Sequence, residues 1–244
     1  MNLRQIDIVK RYYHLVPDNK DSIQADALDL LLKELKMNSG SKVLDFGCGD
    51  GKHREAVNTA GGKWFGVDLI SSPEVDGAKK AYDNRAAYDG RSLPFKKQIF
   101  DLILSYHVLE HVEDLQSVFR ELARVCKIGG KFIGSTSHLE PYHSDSFRSF
   151  TPYGLEKIMG KTGFQLQRIG AGVDCFTLIC ARIVPNVLPK ILSNLIEKII
   201  WSSKGSPLNR IIHLWGRIKK IDPKTVECIK LQFSGHMVFQ AVRI

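Results

Sequence analysis

No run of 18 apolar residues occurs anywhere in the 244-residue sequence, so no segment reads as a membrane-spanning helix. The five cysteines, at 48, 126, 175, 180 and 228, form no CxxC pair and no metal-ligand spacing. Neither a disulfide framework nor a structural zinc site is expected, and free, mostly buried thiols fit a reducing compartment. The first ten residues, MNLRQIDIVK, lack an apolar stretch and a small-residue cleavage site and do not read as a secretory signal. These features set the expectation of a cytoplasmic protein, with the inner face of the membrane left open as a location. The balance of 43% apolar and 25% charged residues is that of a folded globular chain. Its formal charge of +9 is unevenly spread. From Val187 to Ile244 there are ten Lys and Arg against three Asp and Glu. A local basic patch of this kind points to a job of its own rather than to general polyanion binding.

Short apolar runs alternate with amphipathic segments through the first two thirds of the chain. Ala25, Leu28, Leu31, Leu32 and Leu35 recur at helical spacing, with Asp21 or Ser22 as the expected cap. KVLDF, KWFGVDL, Arg85–Tyr88, FDLILSYHVL and KFIGSTS read as successive strands. LQSVFRELARVC between the last two reads as a helix closed by IGG. This order predicts a parallel sheet with helices on both faces and right-handed crossovers. After Ser137 comes HLEPYHSDSFRSFTPYG, which holds four aromatic rings and two histidines. A loop so stocked is more than a connector. TPYGLEKIMGKTG then predicts a helix opened by Thr151 with Pro152 first, Phe164–Ile169 a strand, and GHMVFQAVRI the last strand.

The stretch VLDFGCGDGK carries glycines at 47, 49 and 51. A dinucleotide fingerprint needs its third glycine one place later, where Lys52 stands, and a P-loop needs G-K-S/T after four spacers. Neither phosphate motif fits. Asp45 stands at the entrance of the turn and Asp68 at the end of the second strand. Two carboxylates there repel a pyrophosphate, whereas one can accept from ribose hydroxyls and both suit a ligand with ammonium and sulfonium charge.

VLDFGCGDG resembles the first motif of class I S-adenosylmethionine-dependent methyltransferases, and GVDL resembles their second. DGRSLPF, Asp89 to Phe95, resembles the D-A-x-x-L-P-F segment of the methyltransferase type 11, ubiquinone- and menaquinone-like branch. FDLILSYHVLEHVEDLQSVFRELARVCKIGGKFI is similar to the next two motifs, so the resemblance covers about residues 38–170. It implies a Rossmann-like seven-stranded sheet, mostly parallel with an antiparallel last strand, with helices on both faces and a helical insertion before that strand. It further implies one methyltransferase domain: a helical cap over 1–37, a cofactor-binding core over 38–175, a basic insertion over 176–233 and a final strand over 234–244. The implied cofactor is S-adenosyl-L-methionine. In the resemblance, Gly47, Gly49 and Gly51 let the backbone approach it, with Cys48 between them, and Asp45 orients its amino-acid end. Asp68 takes the ribose hydroxyls, Leu69 packs on the adenine, and Asp89 accepts from the adenine amino group beside Gly90. Ser105 and Tyr106 line the site.

The acceptor side is read from the remaining polar residues. His107 and His111 lie four apart near the end of the fourth strand, where open α/β sheets bind ligands. As a metal pair they lack a third ligand of convincing spacing, and no metal is expected. His138, Glu140 and His143 in the next loop are further base candidates near neutral pH. Arg148 can hold an acidic acceptor group, while Tyr12, Tyr13, Tyr142, Phe150 and Tyr153 are candidates to wall in or close over the acceptor. Methyl transfer to oxygen needs a base, and three loop candidates favour O-methylation of a small-molecule, glycan or lipid-linked hydroxyl. C-methylation of a quinone-like ring and a non-catalytic binding or scaffold role remain as alternatives. HLEPY is no substitute for the N/D-P-P-Y/F mark of amino-methylating enzymes. The loop HLEPYH…FRSFTPYGL is also similar to enzymes of polysaccharide, lipid and secondary-metabolite methylation.

VLPKILSNLIEKIIW and LNRIIHLWGRIKK each put Ile and Leu on one helical stripe and together carry a strong basic bias. Residues 187–220 could lie on an anionic membrane surface, cover the active site as a lid, form a homodimer face or simply pack on the sheet. Nucleic acid is disfavoured as a partner, because aromatics are not interleaved as a stacking platform requires.

Overall fold

The computed structural model describes residues 11–18, 23–69, 84–190, 192 and 205–244. Asp21, Ser22, Trp201 and most of the helix expected over 187–201 lie outside the described residues. A seven-stranded sheet runs in the order β3–β2–β1–β4–β5–β7–β6. Its strands are β1 Lys42–Phe46, β2 Lys63–Leu69, β3 Arg85–Tyr88, β4 Phe100–Tyr106, β5 Cys126–Ser137, β6 Phe164–Ala171 and β7 His236–Arg243. Strands β1 to β5 pair in parallel. β7 runs the other way: Ile244 donates to the Gly163 carbonyl at one end of the β6–β7 pair, and Gly172 to the His236 carbonyl at the other. The expected mostly parallel sheet with an antiparallel last strand is what forms.

The strand order reverses between β1 and β4, which makes their carboxyl ends the switch point where such sheets bind ligands. β1 is buried on both faces from Val43 to Phe46, with Asp45 the one polar residue among three apolar ones. β5 begins at Cys126, earlier than the KFIGSTS run indicates. Phe100 pairs with Cys126, and a bulge then brings Leu102 opposite Lys131. Residues 127–130 are absorbed in that bulge rather than closing the preceding helix.

Among the described residues the helices are α1 Ala27–Met37, α2 Arg54–Thr59, α3 Leu115–Val125, α4 Pro152–Thr162, α5 Cys175–Val187, α6 Pro207–Ile218 and α7 Pro223–Gln232. The cap of α1 is Asp26, whose side chain accepts from the amides of Leu28 and Asp29 at 2.8 and 3.1 Å. Asp114 and Asp222 do the same for α3 and α7. Helices α5 and α7 are absent from the sequence reading, although Asp222-Pro223 carries a cap-plus-proline start signal. No helix among the described residues is long and apolar enough to cross a membrane.

The chain divides into two compact units. One comprises Asp26–Thr136, Tyr153–Gln167 and Phe239–Ile244 and contains the glycine turn. Its core holds Leu44, Ile103 and Leu104 from adjacent strands, together with a cluster of the Phe119, Phe132, Phe164 and Phe239 rings. The other, predominantly helical, comprises Met1–Ala25, Ser137–Pro152 and Arg168–Val238. Within it α6 packs on α7 through Ile212, Val226 and Ile229.

Candidate active site

The glycine turn leaves β1 at Gly47, and the amides of Gly47 and Cys48 both donate to the Val67 carbonyl, at 2.8 and 3.1 Å. This stitches the turn to the end of β2. Gly47 has φ +75°, and a Cβ built there would lie 2.2 Å from Val108 Cγ2. Only glycine fits this position. Gly49 and Gly51 also have positive φ. The Gly49 amide donates to Asp68 Oδ2 at 2.6 Å, and the Leu69 amide to Asp68 Oδ1 at 2.8 Å. Asp68 thus holds the turn as well as standing beside it. Leu69 is exposed. Cys48 is buried, and burial with the nearby Asp45 and Asp68 carboxylates pushes its thiol up to about 12. That thiol is a packing group rather than a nucleophile.

Asp45 is fully buried, with Oδ2 accepting from Trp64 Nε1 at 3.0 Å and lying 3.4 Å from His53 Nδ1. Its Oδ1 has no hydrogen-bond partner among the described residues. The same is true of Tyr88 Oη at the end of β3, Ser105 Oγ near the end of β4 and Ser135 Oγ on β5. Asp45 pairs with Leu104 and Ser135 with Tyr106, so Asp45 and Ser135 share one face of the sheet, whereas Ser105, which pairs with Phe46, lies on the other; all four atoms sit toward the carboxyl ends of β1, β3, β4 or β5. Buried polar atoms are nearly always paired, so exceptions on four strands set this end of the sheet apart. Asp89 is exposed, and the amides of Ser92 and Arg91 donate to its carboxylate and hold it below the usual range, with Gly90 between at φ +82°.

Tyr106 closes β4 and donates its hydroxyl to Asp26 Oδ2 at 3.1 Å. Burial and that anion drive its pKa upward, so it stays a phenol. The His53 ring lies 5.2 Å from it and the Lys52 ammonium 5.1 Å from its ring centre. Next in the chain, His107 has φ +56°, a left-handed conformation that costs a non-glycine residue about 1–2 kcal/mol. Its Nδ1 lies 3.7 Å from Oε1 of Glu110, and Thr136 Oγ1 donates to Glu110 Oε2 at 2.9 Å. Glu110 is wholly buried; burial pushes its carboxyl up, but the hydrogen bonds from His107, its own backbone and Thr136 outweigh this and keep it ionised. His111 ends the 3-10 turn Leu109–His111 that follows.

The remaining sequence candidates fall mostly in the helical unit. Glu140 gathers four donors: Ser137 Oγ at 2.5 Å and His236 Nε2 at 3.1 Å on Oε2, with His143 Nδ1 and Arg182 Nη2 each 3.4 Å from Oε1. Burial raises its pKa, but His236 and Ser137 more than reverse this, holding it near about 2. His138 Nδ1 sits 2.6 Å from the Phe150 carbonyl, and burial lowers its pKa. Phe150 is buried, whereas Tyr142 is exposed and Arg148 half-buried. Tyr13 donates to Asp222 Oδ2 at 2.6 Å, and Tyr12 accepts at its carbonyl from Leu15 and Val16. Tyr153 opens α4 in the glycine-turn unit, with Lys157 over its ring. Sequence reasoning missed Trp64, His53, Asp26, Glu110, Thr136, Arg182 and His236. Glu110 carried a signal, an acid three places after a histidine at a strand end; the others are joined only by long-range contacts.

The family model described as Methyltransferase domain matches residues 44–134. A ubiquinone biosynthesis O-methyltransferase of Pseudomonas aeruginosa is 32% identical over 109 residues, 42% of this chain and 47% of its own length. The 27-O-demethylrifamycin SV methyltransferase of Amycolatopsis mediterranei is 32% identical over 153 residues, 59% of this chain and 52% of its own. The chain therefore spans about half the length of the curated relatives it matches. Among solved structures, phosphoethanolamine N-methyltransferase 2 of Haemonchus contortus, in complex with S-adenosyl-L-methionine, aligns at a TM-score of 0.53 and 21% identity, over 89% of this chain and 52% of that one. That likeness concerns the fold. With the glycine turn at the switch point of a seven-stranded sheet whose β7 is antiparallel, the chain has the Rossmann-like methyltransferase fold, and its residues 44–134 are similar to a methyltransferase domain.

Proposed function

We propose that this chain transfers a methyl group from S-adenosyl-L-methionine to a hydroxyl oxygen of a small-molecule, glycan or lipid-linked acceptor. The observation that carries the cofactor assignment is the glycine turn at the switch point of the sheet, whose Gly49 amide donates to Asp68, with the buried Asp45 carboxylate, one oxygen unpaired, on the strand that leads into it. This turn fits a ligand offering hydroxyls and an ammonium group, and the carboxylates of Asp45 and Asp68 suit its positive charge. Asp68 would hold the ribose and Leu69 and Asp89 the adenine, with the glycine turn around the amino-acid end. When bound, the cofactor supplies a methyl carbon already activated by its sulfonium.

What the protein must add is alignment, exclusion of water and a place for one proton. His107 is the base we assign. It stands at the carboxyl end of β4 in a strained conformation, and strain of that kind collects at functional sites. The ionised Glu110 orients the imidazole and stabilises the proton that it takes from the acceptor hydroxyl. The new carbon–oxygen bond forms as the carbon–sulfur bond breaks. Glu140 is a poor base, since its low pKa and four donors hold it as an anion; it positions the loop instead. The names of both curated relatives reported above place the methyl on oxygen, which supports the choice of a hydroxyl.

Calorimetry with S-adenosylmethionine and S-adenosylhomocysteine tests the first half, with Asp68→Ala as the control. Saturable binding abolished in the control supports the assignment; no binding by folded protein sinks it and leaves the scaffold reading. Transfer of a deuterated methyl group to phenolic, glycan and lipid hydroxyls, located by mass spectrometry and NMR, tests the second. Label found on carbon would replace the hydroxyl reading with ring C-methylation.

A further inference from the structure

We propose that the outward faces of α5 and α6 dock this protein onto an anionic lipid bilayer, a property independent of the reaction proposed above. Helix α6 is apolar on two sides. Asn209, Ile212 and Gly216 point inward, and Gly216 lies so close to α7 that a Cβ would meet Val226 Cγ2 at 2.4 Å. Opposite them, Ile211, Leu214, Trp215 and Ile218 are exposed to 64, 60, 39 and 68%. Their spacing of three, four and seven residues makes one continuous stripe, where a surface helix normally presents polar residues. Phe176, Ile179, Ile183 and Val187 on α5 repeat the device, recurring every three or four residues and all exposed.

Charge decides what this face can meet. From Cys175 to Ile221 the chain has eight Lys and Arg and one acid, Glu197. Arg217, Lys219 and Lys220, at the end of α6, are all exposed. A second copy of the chain, docked through the same face about a two-fold axis, would set one basic patch against another. A bilayer surface rich in acidic phospholipid complements them while the Ile, Leu and Trp side chains enter the headgroup boundary. Bulky apolar residues, a tryptophan and flanking cations in excess over acids form the composition of helices that lie in that plane.

Flotation of the full chain with phosphatidylcholine vesicles, with and without phosphatidylglycerol, tests the proposal. Binding is expected only with phosphatidylglycerol and should fall with salt. Neutralising Arg217, Lys219 and Lys220 to Gln should lower the partition coefficient roughly a hundredfold, about fivefold per charge. Replacing Ile211, Leu214 and Ile218 by Ser should lower it by roughly tenfold per side chain removed from the lipid. In both variants an unchanged circular dichroism spectrum and unchanged S-adenosylmethionine binding exclude misfolding. Absence of wild-type binding to phosphatidylglycerol vesicles overturns the proposal. So does binding that survives both sets of substitutions, or sedimentation showing that the stripe instead holds a dimer.

Discussion

Asp174 caps two helices at once, and its removal should be among the most damaging single changes in the helical unit. As N-cap of α5 it accepts from the Thr177 amide on Oδ1 at 2.7 Å. Its other oxygen accepts from the Leu208 and Asn209 amides at the start of α6, at 3.1 and 3.4 Å. Ser206, the nominal cap of α6, makes no such bond because its Oγ accepts from the Asp174 amide instead. The two caps are exchanged between the helices. The carboxylate is wholly buried. Replacing it by Ala strands three amides, at about 1–3 kcal/mol for each one left buried without an acceptor. It also removes an anion from two positive helix ends. Allowing for partial relaxation, Asp174→Ala should lose about 4 kcal/mol, a large share of the roughly 5–15 kcal/mol by which domains are stable. Asp174→Asn keeps one acceptor oxygen and turns an amino group toward the other set of donors, so about half of that loss is expected. Urea unfolding gives the total, and hydrogen exchange locates it at the first turns of α5 and α6. A loss under about 1 kcal/mol for the Ala variant, with protection at both helix starts unchanged, would refute the exchanged-cap account.

Gly47→Ala should destabilise the glycine-turn unit by about 2–4 kcal/mol and abolish cofactor binding, since both φ and the Val108 contact oppose a Cβ. Adding Val108→Ala should recover the steric part alone, as thermal unfolding would show. If His107 is the base, His107→Ala should lower kcat about a hundredfold or more with cofactor affinity unchanged. Glu110→Gln should lower it about tenfold to a hundredfold through loss of orientation, read by steady-state kinetics on the identified acceptor. Glu140 has a depressed pKa, so the stability it contributes is complete above the ordinary carboxyl value near 4.5 and is lost as pH falls toward about 2. Urea midpoints of the wild type should therefore decline through that window, and those of Glu140→Gln should be flatter.

The cofactor side of the site was legible because its signals are local. A short, mostly apolar strand carrying Asp45, a glycine triplet and an acid at the next strand end all lie within 27 residues, Val43 to Leu69. Each reports a local requirement: burial on both faces, positive φ, a carboxylate at a strand end. The acceptor side was harder. Glu140 reads in sequence as a base candidate, yet His236, almost a hundred residues on, and Arg182 make it an ion-pair hub. Tyr13, read as a residue that closes over the acceptor, donates instead to the cap of α7 at Asp222. Nothing in the neighbourhood of either residue encodes its partner.

Periodicity and glycine placement alone thus determined the alternating α/β order, the sheet class and the position of the turn, because these depend on residues a few places apart. The tertiary structure decided which polar atoms at the strand ends stay unpaired and which of the apolar stripes of α6 is covered. It also gave Asp174 to two helices. Those outcomes depend on which distant groups arrive at each side chain, and a hydrogen bond or a buried face is defined only once its partner is in place.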